Sequence, residues 1–131
     1  MSAADDEARG AERVYTVDEA NSTVDDLRPR LARIREARRV VIGAGERIRA
    51  QVAADGGGHE GSDYYQALRS LRAEVEHLAS EGILLRDPEN GLVDFPAEID
   101  GRRVFLCWRT DEARVAYWHG PESGFSGRRP L

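Results

Sequence analysis

An Asp-Gly pair at positions 100 and 101 divides two runs of alternating character, Leu92 to Glu98 and Arg103 to Arg109. Both residues tolerate positive φ, so the pair specifies a two-residue hairpin whose backbone twist suits the flanking strands. Such a turn leaves no freedom of register. With Ile99 facing Arg102, Pro96 falls opposite Phe105, Asp94 opposite Cys107 and Leu92 opposite Arg109. Alternation then sorts the side chains onto two faces. Val93, Phe95, Ala97, Val104, Leu106 and Trp108 share an apolar face, while Leu92, Asp94, Pro96, Phe105, Cys107 and Arg109 share a mixed one.

The same reasoning extends the sheet to a four-stranded meander. A strand at Ile83 to Arg86 precedes a turn at Asp87 to Gly91, and a last strand spans Arg114 to Trp118. If Thr110 to Ala113 is a loop, Val115 and Tyr117 join the apolar face, and Arg114, Ala116 and Trp118 the mixed one. The segment from His119 to Leu131 is rich in Gly and Pro but carries Phe125 and Leu131. It is expected to be an ordered tail folded over the mixed face, with Arg128 and Arg129 bonding acids there.

Upstream the period changes to that of helices. Thr16 and Glu19 form a T-x-x-E capping box. Ala20, Val24, Leu27, Leu31, Ile34, Val41, Ile48 and Val52 then recur at threes and fours or their sums, with Arg38 and Gly45 interrupting the stripe. A straight helix from Val17 to Ala54 would be about 57 Å long at ~1.5 Å per residue. Pro29 removes a backbone donor, so a kink is expected there, with Val17 to Arg28 on the sheet and Arg30 to Ala54 projecting. The glycine-rich segment 55–61, DGGGHEG, reads as a flexible connection, with His59 solvated. Ser62 caps a second helix to about Glu81, with Tyr64, Leu68, Leu71, Val75 and Leu78 on its apolar stripe and Gly82 as its stop. The expected fold is α+β: a flexible leader at 1–13 and a single domain at 14–131. That domain comprises a long antiparallel helical hairpin at 14–82, helix one kinked near Pro29, and a meander with its tail at 83–131. A two-helix layer is thin, so the hairpin is expected to pair with a second copy as a homodimer.

Composition bounds the function classes. At 131 residues with 33% charged side chains, the chain suits one domain and has no apolar run of membrane-spanning length or secretory leader. A cytoplasmic protein without a membrane partner is the expectation. A lone Cys107 forms no internal disulfide. The net charge of -5 argues against general nucleic-acid affinity. Arg28, Arg35 and Arg39 do form a helical stripe, which leaves weak nucleic-acid binding as a third reading.

The mixed face is where chemistry would lie. A carboxylate, a thiol and a guanidinium beside Phe105 and Trp118 would make a small-ligand floor, so Asp94, Cys107, Arg109, Trp118, His119 and Arg128 are the candidate binding residues. As an enzyme, Asp94 or His119 would be the general base and Arg109 the anion clamp, with Cys107 a nucleophile only if its pKa is depressed. The competing structural reading is an Asp94 to Arg109 ion pair over an inert buried thiol. Asp94, Cys107 and His119 are metal-ligand types, but alternation puts His119 on the opposite face or past the strand, so no metal is assigned. Glu74 and His77 give a single E-x-x-H, read as a solvated helix face. The cofactor is left unknown.

Three blocks, YTVDEAN, ENGLVDFPAEIDGRRVFLCWR and VAYWHGPESGFSGRRPL, together resemble an uncharacterised bacterial family, domain of unknown function 2203. The resemblance implies a helical hairpin joined to a small sheet and special importance for Asp94, Phe95, Pro96, Trp108, Trp118, His119, Gly124, Phe125, Gly127, Arg128 and Leu131. It transfers no catalytic residue. The function expected is a non-enzymatic binding or scaffolding module with a small-molecule or protein partner. The alternative is a small-molecule or metal-dependent enzyme with its site on the mixed face.

Overall fold

The computed structural model describes residues 13–55 and 61–131. The expected leader, apart from Arg13, lies outside the described residues, as do the centre of the glycine-rich connection with His59 and the side chains of Val52 and Ser62. Helix α1 spans Val17–Asp55. It starts at the expected capping box: the Glu19 amide donates to Thr16 Oγ1 at 3.0 Å and the Thr16 amide to Glu19 Oε1 at 2.9 Å. Helix α2 spans Gly61–Ser80. Gly82, at φ 72, ends it in the left-handed conformation that glycine adopts without a Cβ penalty.

Helix α1 remains continuous through Pro29, an exposed residue. Its sheet-facing stripe does not stop there as expected, because Leu31 and Ile34 share one buried core with Ala20, Val24 and Leu27. The apolar spacing stays in phase across the proline. Farther along, the buried positions are Ala37 and Ala44, while Val41 and Ile48 are only partly covered. From α2, Leu71 and Leu78 pack on the core, but Val75 is 40% exposed despite its place in the stripe. Glu74 is bound between the helices, 2.9 Å from both Arg30 and Arg33, so it does not belong to a solvated face. Two hydrogen bonds to its carboxylate hold the Glu74 pKa below the usual value against the opposing effect of burial.

The sheet is antiparallel with five strands in chain order: β1 Leu84–Asp87, β2 Leu92–Ile99, β3 Arg102–Arg109, β4 Tyr117–His119 and β5 Arg129–Pro130. The fifth strand comes from the tail. Every pair expected of the Asp100-Gly101 hairpin is present, from Ile99 opposite Arg102 to Leu92 opposite Arg109. Asp100 and Gly101 have φ of 52 and 77, the two positive values such a turn requires. Val93, Phe95, Ala97, Val104, Leu106 and Trp108 are all buried, forming with the helices one core. Ahead of α1, the Tyr15 amide donates to the Pro96 carbonyl at 2.7 Å and its ring meets Phe95 edge-on. That clamps the entry to α1 onto the sheet.

The last long strand departs from expectation by one residue. Trp118 pairs with Leu106 and Tyr117 with Cys107, so Trp118 packs against the core and Tyr117 lies on the mixed face. The expected strand at Arg114 to Trp118 begins only at Tyr117. Its connection to β3 is longer than four residues because Val115 is held by a helix instead of the sheet. Asn21 Oδ1 accepts the Val115 amide at 2.7 Å, and Asn21 Nδ2 donates to the Val115 carbonyl at 3.3 Å.

Candidate functional site

The shift in β4 brings His119 to the mixed face. It pairs with Phe105, and its ring reaches over β3 until Nε2 lies 2.9 Å from Asp94 Oδ2. Asp94 and Cys107 face each other across β2 and β3 as expected. One donor atom from each of Asp94, Cys107 and His119 lies within 4.8 Å of the other two, and all three residues are buried. A pocket of about 290 Å³ opens onto the cluster. Arg86 and Leu92 line one side, and Pro121, Ser123, Gly124 and Phe125 of the tail line the other.

Each group in the cluster is held differently. Arg86 Nε donates to Asp94 Oδ2 at 2.9 Å, while its guanidinium lies over the Phe105 ring. Asp94 Oδ1 is buried with no hydrogen-bond partner. His119 Nδ1 is 2.8 Å from the Gly120 carbonyl oxygen. A carbonyl only accepts, so Nδ1 carries the proton and Nε2 is the nitrogen turned to the carboxylate. Burial pushes the Cys107 thiol up to about 12, and the neighbouring Asp94 charge adds to the effect. Such a thiol is not a poised nucleophile. Nor is His119 arranged to activate it, since both ring nitrogens face oxygen acceptors.

The remaining candidates lie elsewhere. Arg109 does not pair with Asp94; its Nε is 2.6 Å from Asp111 Oδ1, and it lines a separate hollow of about 510 Å³ with Arg35, Arg39 and Glu89. Asp111 holds the guanidinium, which lies over the Phe125 ring. Trp118 is on the core side, because β4 is displaced by one residue. Arg128 stands behind the cluster, its Nη2 2.8 Å from both Glu112 oxygens and its guanidinium over the Tyr117 and Phe125 rings. Phe125 reaches the pocket but remains 39% exposed, and Leu131, 50% exposed, bonds through its amide to Ala116 instead of closing the face. Arg38, which interrupts the apolar stripe of α1, approaches Glu89 of the β1–β2 turn.

Arg86 was not among the residues singled out from the sequence. Leu84 faces Asp94, but the register shifts between Leu85 and Asp87, at Arg86, so alternation alone does not settle where the Arg86 side chain goes. Pro121, Ser123 and Gly124 had no signal, since irregular chain carries no period.

No helix among the described residues is long and apolar enough to cross a membrane. Comparison with curated proteins and with solved structures finds no match. The model of one family, described as an uncharacterized conserved protein and designated DUF2203, matches residues 13–131, and the chain belongs to that family.

Proposed function

We propose that the protein is a binding module that holds a small ligand in the pocket between the mixed sheet face and the tail. The observation that carries this reading is Asp94 Oδ1, a buried carboxylate oxygen without a partner in a residue that lines the pocket. An unpaired buried acceptor costs about 1–3 kcal/mol, more when charged, and a bound group that satisfies it recovers that cost. The high thiol pKa and the engagement of both His119 nitrogens argue for binding over nucleophilic catalysis. Nucleic-acid binding has little support, because Arg30 and Arg33 pair with Glu74, and Arg35 and Arg39 with Glu89.

Native mass spectrometry of the purified full chain, with elemental analysis of the same sample, tests this reading. A retained small species on the wild type that is lost in Asp94→Ala is expected. A bare 14.6 kDa chain whose melting temperature no small ligand raises would end it.

The module is also proposed to act as a homodimer. Among the described residues, the sheet-facing core reaches Ile34 on α1 and Leu71 on α2, and farther out Ile42 and Tyr65 remain 46% and 60% exposed. Light scattering should give twice 14.6 kDa. A monomer mass at micromolar concentration would remove this part.

A further inference from the structure

The pocket's polar groups define what kind of ligand fits. We propose that Asp94, Cys107 and His119 form a binding site for one divalent transition-metal ion of the zinc class, with its remaining coordination position facing the pocket. This inference rests on the ligand-binding reading above and narrows it.

Geometry comes first. In a tetrahedral site with bonds of ~2.3 Å to sulfur and ~2.0–2.2 Å to nitrogen or oxygen, neighbouring donor atoms lie roughly 3.3–3.6 Å apart. The three side chains already offer donors within 4.8 Å of one another. Small rotamer adjustments therefore suffice, and they occur on paired strands whose register is fixed.

The surrounding bonds fix the His119 ring and leave Asp94 Oδ1 unpartnered. Gly120 holds the Nδ1 proton of His119 at 2.8 Å, which leaves Nε2 as the coordinating nitrogen in the arrangement typical of metal-bound imidazoles. Arg86 holds Asp94 Oδ2, and the unpartnered Oδ1 is available for the ion. Arg86 then serves to orient the ligating carboxylate.

The donor set selects the metal class. One sulfur, one nitrogen and one oxygen suit zinc, cobalt or nickel, while a thiolate disfavours magnesium and calcium. Loading breaks the Cys107 S–H bond, forms a metal–sulfur bond and releases the proton to solvent. Three protein ligands leave a position for water or an anionic ligand group, enclosed by Leu92, Pro121 and Phe125.

Cobalt(II) titration of the untagged, metal-free full chain tests the site, because cobalt bound to a thiolate gives an intense sulfur-to-metal charge-transfer band. One equivalent per chain should produce that band, and added zinc should abolish it. Cys107→Ser should lose the band, and His119→Gln or Asp94→Asn should weaken cobalt binding by about tenfold or more, whereas Arg33→Ala, at the helical layer's ion pair with Glu74, should leave it unchanged. No band in the folded wild type, or a band that survives in Cys107→Ser, overturns the proposal. If the band is missing but native mass spectrometry still shows a retained non-metal species, the metal assignment fails and the pocket reading stands. If both are missing, both fail.

Discussion

His119 Nε2 lies 2.9 Å from Asp94 Oδ2, although the two residues are two strands apart and 25 positions apart in the chain. Both side chains are almost fully buried. The contact ties β4 to β2 across the top of β3, and Arg86 joins it from β1 through the same oxygen. One carboxylate thus fastens three strands.

Removing that carboxylate should therefore destabilise the fold. Asp94→Ala leaves His119 buried beside a void and frees Arg86. The expected loss is about 1–3 kcal/mol in urea denaturation, the range for leaving a buried polar group without its partner. Asp94→Asn, which keeps an acceptor of the same shape, should lose less. Equal midpoints for wild type and Asp94→Ala would contradict this account of the cluster.

Trp108 is the largest fully buried side chain among the described residues, and its Nε1 donates to the Glu112 carbonyl at 3.1 Å. Trp108→Ala is expected to cost about 3–5 kcal/mol. Trp118 packs at the edge of the same core, so Trp118→Ala should also lower stability, by a smaller amount. A thermal melt of Trp118→Ala matching wild type would show that its ring is not on the core face.

Gly91 turns the chain between β1 and β2 at φ 66, and a Cβ there would meet the Thr110 side chain at 2.8 and 2.9 Å. Gly91→Ala adds both a steric clash and an unfavourable backbone conformation, for a loss of about 1–3 kcal/mol. In the double variant Gly91→Ala with Thr110→Gly, the clash is gone and part of the loss should return. A double variant no more stable than Gly91→Ala would leave only the backbone as the cause.

Cys107 is 1% exposed and its thiol is pushed up to about 12. At neutral pH a disulfide reagent should modify it at least roughly a hundredfold more slowly in the native protein than in denaturant. Comparable rates in the two states would expose an accessible, activated thiol and favour the enzyme reading instead.

How much of this was legible in the sequence follows from which contacts are local. Asp100 and Gly101 adjoin in the chain, and a two-residue turn admits one register, so the whole β2–β3 ladder and the apolar face could be read off. The capping box at Thr16 and Glu19 is equally local. The phase of β4 was not, because it depends on Asn21, 94 residues from Val115, whose amide side chain pairs with that backbone. That one-residue displacement exchanges the faces of Tyr117, Trp118 and His119. It therefore decides whether the candidate site contains two of its polar residues or three. Arg109 was misplaced for a related reason, since alternation gives the face of a side chain but not the direction in which a long guanidinium reaches.

The position of the His119 ring is the point on which the site depends, and nitrogen-resolved NMR of the imidazole side chains reads it directly, with His119→Gln providing the assignment. A sharp, slowly exchanging Nδ1–H resonance is expected, held by Gly120 and perturbed in Asp94→Asn. A His119 ring whose protons exchange freely with water, indifferent to the residue at 94, would place it outside the cluster and dissolve the site.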